Sequence, residues 1–127
     1  PDTLHDLLID VGIGQRGDSG LPGEARGRLM SADRWKPLDI ATLAFGYGIS
    51  TNLLQLAGAY AVIAANGIKR PISILPVDDS PGGKRVLSAR TAAQLREMLE
   101  TVVLPGGTAT RAQVPGYRVA GKTGTTR

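Results

Sequence analysis

Cysteine is absent from this 127-residue chain, which excludes disulfides and thiolate metal sites but is compatible with a reducing or an oxidising compartment alike. Aromatic residues are scarce, at 4%, so the large rings that usually anchor a small core are few. Long apolar runs are missing too. The longest, Leu56 to Ala65, is interrupted by Gly58 and falls well short of the roughly 20 residues that a membrane span requires. The opening Pro1-Asp2-Thr3 lacks the charged and apolar regions of a signal peptide, so the export signal of an exported parent is expected upstream. Charge of one sign is not concentrated anywhere. Fifteen Lys and Arg stand against eleven Asp and Glu, for a formal charge of +4, and the basic residues are scattered from Arg16 to Arg127 rather than gathered into a stripe. That pattern argues against a nucleic-acid groove.

What is present has a globular balance, with 42% apolar and 20% charged residues, unlike the low-hydrophobicity, high-charge signature of disorder. The length allows one domain or part of one. Leu4, Leu7, Leu8 and Val11 fall on one helical face and predict a helix over 3–11, with Thr3 as N-cap, Asp6 reaching back to it and Gly12 as stop. Residues 12–37 are rich in Gly, Pro and charge and read as a long irregular segment. A second helix, capped by Ser50 or Thr51 and closed by Asn66-Gly67, is apolar on nearly every side. Such a helix calls for burial all round, which this chain does not readily supply, so neighbours outside it are expected. Segments 70–77 and 84–87 flank a Gly-rich turn and suggest a small hairpin, held to an edge by Pro71 and Pro76. Ser88 caps a third helix. Ala92, Leu95, Met98, Leu99, Val102 and Val103 form its inward stripe, and Arg96 and Glu100 are spaced to pair on its wet side. Residues 117–126 open with Tyr and Val and read as a strand.

Four patterns carry possible chemistry. Gly12-x-Gly14-x-x-Gly17 has the letters of a dinucleotide fingerprint but follows a helix instead of a strand, so it reads as a helix stop and turn. Gly116-x-x-x-x-Gly121-Lys122-Thr123 has the spacing of a phosphate-binding P-loop. A nucleotide-binding module at these residues is the alternative to the reading below, although the preceding hydrophobic strand, the small-residue loop and the following helix are not evident. Ser50-Thr51-Asn52 has the form of the S-x-N element of serine acyltransferases but stands where a helix cap is needed. Lys122-Thr123-Gly124, followed by Thr125, suits a ligand-binding strand: an ammonium and hydroxyls hold a carboxylate, Gly124 permits close backbone approach, and a strand edge pairs with a peptide-like ligand.

Taken together, Gly12-Ile-Gly-Gln-Arg-Gly17 with Leu21-Pro-Gly-Glu24, Phe45-Gly-Tyr-Gly-Ile-Ser50, Leu54-Gln-Leu-Ala-Gly-Ala-Tyr60, Gly106-Gly-Thr-Ala109 and Val119-Ala-Gly-Lys-Thr-Gly-Thr125 resemble the class B penicillin-binding proteins, of the division-specific penicillin-binding protein 3 type. The resemblance covers nearly the whole chain, in the family's order. It implies a mixed α and β, mostly helical chain: part of the penicillin-binding, serine β-lactamase-like fold, with the Lys-Thr-Gly strand at its C-terminal end. It also implies a D,D-transpeptidase of peptidoglycan synthesis that acts on D-Ala-D-Ala stem peptides and binds β-lactams, on the periplasmic or extracytoplasmic face of the bacterial inner membrane. Division-complex proteins are its expected partners; no nucleic acid, cofactor or metal is expected. By matching positions, Lys122 sets the electrostatics around the nucleophile, Thr123 and Thr125 bind the substrate carboxylate, Gly124 lies along the ligand, the Thr125 N–H serves the oxyanion hole, and Tyr47 lies beside the pocket.

The departures are as informative. No S-x-x-K occurs in the chain; the nearest approach, Ser80 to Lys84, is one residue too long. The family's nucleophilic serine, its S-x-N and the strands after Lys-Thr-Gly are therefore expected outside residues 1–127, which form a fragment of a single transpeptidase domain and are expected to be inactive alone.

Overall fold

A computed structural model describes residues 2–17, 19–79 and 81–124. In chain order the elements are α1 (Asp2–Val11), a 3-10 turn (Ala32–Arg34), α2 (Pro37–Leu43), α3 (Leu53–Ala64), β1 (Ile68–Lys69), β2 (Lys84–Arg85), α4 (Ala89–Glu100) and two further 3-10 turns, Thr101–Val103 and Thr110–Ala112. The mixed, mostly helical class expected from the sequence is what forms.

Helix α3 is the centre, packed against α1, α4 and β1. Its N-terminus is closed by reciprocal bonds: the Gln55 N–H donates to Asn52 Oδ1 at 2.7 Å and the Asn52 N–H donates to Gln55 Oε1 at 3.1 Å. This satisfies two of the donors that every helix start leaves open. Asn52, not Ser50 or Thr51, is therefore the cap. At the other end Asn66 and Gly67 both adopt positive φ, 56° and 84°, and the Gly67 N–H returns to the Val62 carbonyl, a glycine-type stop. Where α3 packs on α4, Val62 and Ala92 are 1% and 0% exposed; Ile13, Trp35 and Val103 are the other buried apolar residues among those described.

The all-round burial expected of α3 is not seen among the described residues. Leu53 is 84% exposed, and Leu56 and Tyr60 are also open, on the face away from α1, α4 and β1. Three neighbours cover only one side of a cylinder about 10 Å across. Helix α1 starts at Asp2, so Thr3 lies in its first turn rather than capping it. Helix α2 lies in a stretch assigned to no element from the sequence. Pro37 starts it with a preset φ, and the Lys36 N–H donates to the Asp39 carboxylate at 2.8 Å.

The hairpin is shorter and sits earlier than expected. Ile68 pairs with Arg85 and Lys69 with Lys84, antiparallel, while 70–77 joins no ladder. Pro71 and Pro76 have no N–H to give, and Ile74, Leu75 and Val77 point outward. In α4, capped by Ser88 as expected, Ala92 is buried, as is Val103 in the 3-10 turn that follows, but Met98 is 60% exposed, a correction to the predicted stripe. The Arg96–Glu100 pair is also corrected. Arg96 instead donates to the Ile63 carbonyl at 2.7 Å and to Asn66 Oδ1 at 2.8 Å, because the end of α3 presents unpaired carbonyls with partial negative charge. Glu100 pairs with Arg118 at 2.7 Å.

Candidate functional site

The Lys122-Thr123-Gly124 ribbon is held on the C-terminal end of α4. Pro105 and the two glycines after it turn the chain back, and the Ala109 N–H then bonds the Val102 carbonyl at 2.9 Å. After a turn in which the Tyr117 N–H meets the Val114 carbonyl, Arg118 reaches Glu100, and the Gly121 N–H donates to the Leu99 carbonyl at 3.1 Å. Carbonyls of the last helical turn have no intrahelical partner, so the helix end offers acceptors to a passing chain. Residues 118–124 form no ladder with β1 or β2; a strand is defined by a paired neighbour, and this ribbon has none among the described residues.

Lys122, Thr123 and Gly124 are all exposed. The Lys122 ammonium donates to the Thr123 carbonyl at 2.8 Å, and the Thr123 hydroxyl lies 3.2 Å from the Thr108 hydroxyl. Thr125 lies outside the described residues. Tyr47 is 61% exposed, its ring edge-on to Phe45 with centroids 5.6 Å apart. Among the described residues no hydrogen bond joins Tyr47 to residues 122–124.

The P-loop alternative does not match this geometry. Neither Gly121 nor Gly124 takes the left-handed backbone that alternates in a phosphate nest, no strand leads into Gly116, and no helix opens between Thr123 and Gly124. Gly12 to Gly17 likewise follows α1, with the Gly12 and Ile13 N–H groups bonded to the Ile9 and Leu8 carbonyls, as a helix stop would. A cavity of about 410 Å³ between the α1 exit, α3 and the hairpin is lined by none of Lys122, Thr123, Gly124 and Tyr47 and has no part in this site.

A second polar cluster supports the segment that carries Tyr47. The Gln55 amide, 5% exposed, donates to the Gln15 and Arg26 carbonyls and accepts from the Thr51 hydroxyl at 2.8 Å. Asn52 Nδ2 donates to the Ala25 carbonyl at 2.7 Å and to Glu24 at 3.3 Å. The Ser19 hydroxyl on Glu24 holds that carboxyl below its ordinary 4.5, against partial burial, with help from Asn52 and the Gly17 and Ser19 backbone. Arg28 and Ser50 exchange both backbone bonds, at 2.8 and 3.0 Å. The Leu21-Pro-Gly-Glu24 loop is thereby fastened to the start of α3. Among the described residues, no group of three His, Asp or Glu side chains is placed to hold a metal ion, and no helix is long and apolar enough to cross a membrane.

The family model for the penicillin-binding-protein transpeptidase domain matches residues 1–127. The chain belongs to the penicillin-binding-protein transpeptidase family. Over 126 residues it is 41% identical to the probable peptidoglycan D,D-transpeptidase PenA of Neisseria meningitidis serogroup A, a match that covers 99% of this chain and 22% of that protein. It is 42% identical over 125 residues to the peptidoglycan D,D-transpeptidase FtsI of Escherichia coli, covering 98% of this chain and 21% of that protein. The transpeptidase domain of Burkholderia pseudomallei penicillin-binding protein 3 superposes with a TM-score of 0.90 at 43% identity, over 94% of this chain and 37% of that one. The chain thus spans about a fifth of the length of these two relatives. Its fold is that of the corresponding part of a penicillin-binding transpeptidase domain.

Two features of this site escaped the sequence reading. Thr108 stood within a segment noted only for its family resemblance, and nothing in its spacing pointed to Thr123. Asn52 and Gln55 were legible as a capping box, N-x-x-Q, but the reach of Gln55 to residues 15 and 26 was not.

Proposed function

We propose that this chain is the Lys-Thr-Gly-bearing part of a single transpeptidase domain in a division-type peptidoglycan D,D-transpeptidase. The observation that carries the reading is the family match over every residue, together with an exposed ribbon that carries an ammonium and a hydroxyl side by side. In the reaction, a serine hydroxyl supplied from outside these residues attacks the carbonyl of the D-Ala-D-Ala bond. The serine proton passes to the amine of the terminal D-Ala as the bond breaks and D-Ala leaves; an amine of a neighbouring stem peptide then displaces the serine from the acyl-enzyme, and the proton that amine gives up restores the serine hydroxyl. β-Lactams acylate the same serine. Lys122 supplies positive charge near that serine and the substrate carboxylate. The hydroxyls of Thr123 and Thr125 bind the carboxylate, Gly124 lets the ligand backbone come close, and Tyr47 borders the pocket. The Thr125 N–H is one oxyanion donor, a group whose removal typically costs about 3 kcal/mol of barrier.

The open face of α3, with Leu53, Leu56 and Tyr60, is the kind of surface that a further layer of the same domain covers, which supports the fragment reading. The enzyme acts on the extracytoplasmic side of the membrane, where its substrate is, and works with other proteins of the division complex. In the intact parent, Lys122→Ala is expected to weaken acylation by penicillin severely, while the 127-residue chain alone is expected to take up no label from a fluorescent penicillin. Unchanged acylation kinetics in the parent would remove Lys122 from the site, and labelling of the short chain at an identified serine would overturn its proposed incompetence.

A further inference from the structure

We infer that Thr108 is a positioning residue that sets the direction in which the Thr123 hydroxyl donates its hydrogen bond, and so tunes recognition of a ligand carboxylate. The inference rests on the transpeptidase reading above and deepens it. A threonine hydroxyl has one proton and two lone pairs. If Thr123 spends its proton on Thr108, it has only lone pairs to offer, and these repel a carboxylate. At 3.2 Å the two hydroxyls are hydrogen-bonded. Carboxylate binding therefore requires Thr108 to donate and Thr123 to accept, leaving the Thr123 proton aimed at the ligand. Such a chain of hydroxyl to hydroxyl to carboxylate polarises along its length.

The pair is no chance meeting of two loose loops, because both residues hang from one support. On the Thr108 side, the Gly107 N–H bonds the Leu104 carbonyl at 2.8 Å and the Ala109 N–H bonds the Val102 carbonyl at 2.9 Å. A side chain at position 107 would collide with the Thr101 and Val102 carbonyls, so the approach of this loop to the helix end depends on glycine. On the Thr123 side, Gly121 is bonded to Leu99 and Arg118 to Glu100. The end of α4 and its 3-10 extension thus determine the distance between the two hydroxyls.

The test uses the intact parent transpeptidase with Thr108→Val, which keeps the shape and removes the hydroxyl, and Thr108→Ser, which keeps the donor. Acylation is followed against concentration for a penicillin with a free carboxylate and for its methyl ester. With the free acid, Thr108→Val is expected to lower the second-order acylation constant about five- to tenfold, the usual effect of one lost hydrogen bond. The loss should appear in the apparent Kd rather than in the limiting rate. Thr108→Ser should stay within about twofold of wild type, the ester should not distinguish Val from Thr, and in a Thr123→Val background Thr108→Val should cost nothing more, because the two act as one unit. Wild-type acylation of Thr108→Val, or an equal loss with acid and ester, overturns the inference while leaving the transpeptidase reading in place. Failure of the wild-type parent to be acylated at all overturns that reading, and the inference with it.

Discussion

Replacing Gln55 by Leu tests the claim that one amide side chain fastens the loop of residues 15–26 to the start of α3. Gln55 is 5% exposed and uses its whole hydrogen-bonding capacity: two donors to the Gln15 and Arg26 carbonyls, and one oxygen shared by the Asn52 N–H and the Thr51 hydroxyl. Leucine has similar volume but none of these groups. Four bonds at a net of about 1 kcal/mol each set the upper end of the loss. Partial rehydration of the loop carbonyls and the gain from an apolar side chain reduce it, leaving about 2–4 kcal/mol. Against a total stability of about 5–15 kcal/mol that is a large fraction. The assay is urea denaturation of the intact transpeptidase domain, the variant compared with wild type at equal m-value, with amide hydrogen exchange at Arg28 and Ser50. Those two N–H groups should lose protection together, since their bridge lies beside the cluster. A loss of less than about 1 kcal/mol with exchange unchanged would refute the reasoning: the loop would then be held by something other than Gln55.

Two further perturbations probe the same region. Gly27 has a φ of +69°, and a Cβ there would run into the Ser50 carbonyl oxygen, whereas Gly23, at +77°, has open space around it. Gly27→Ala should therefore cost clearly more than the roughly 1–2 kcal/mol that left-handed backbone alone imposes on Ala, and Gly23→Ala no more than that; equal losses in denaturation would reject the steric argument. Glu24 is held below its ordinary 4.5, chiefly by the Ser19 hydroxyl. Between that lowered value and 4.5 the unfolded chain binds more protons than the folded one. Its contribution is thus complete above 4.5 and lost as pH falls through the lowered value. Glu24→Gln should accordingly be less stable than wild type above 4.5, and the gap should narrow as pH falls below it; a gap that does not narrow would remove this linkage.

Much of the helical framework was legible. The periodicity of Leu4 to Val11, the apolar run closed by Asn66-Gly67, and the Ser88 cap each have a local cause, and local causes act on a helix regardless of what packs beside it. Strands fared worse because pairing is a tertiary event. Residues 70–77 carry strand-forming side chains, yet pairing begins at Ile68, set by the Gly67 carbonyl, which takes the N–H groups of both Val86 and Leu87. Arg96 looked like a partner for Glu100 one turn away, but packing of α4 against α3 places it on the Ile63 carbonyl and on Asn66 Oδ1 just past the end of α3, while Glu100 is taken by Arg118. The Lys122 ribbon was recognised by its residues; its attachment to Leu99 and Glu100 was not.

Order and type of residue, read along the chain, were enough to establish the family, the Lys122-Thr123-Gly124 motif and the absence of an S-x-x-K, since motif chemistry depends on which groups stand at which spacing. Only the folded chain decided that Thr108 touches Thr123, that Gln55 binds loop carbonyls 40 and 29 residues away, and that the described neighbours of α3 cover only one of its faces. Contacts between hydroxyls, amides and carbonyls distant in sequence are short-ranged and directional. They exist only after helices have packed and leave no periodic trace from which they could be read beforehand.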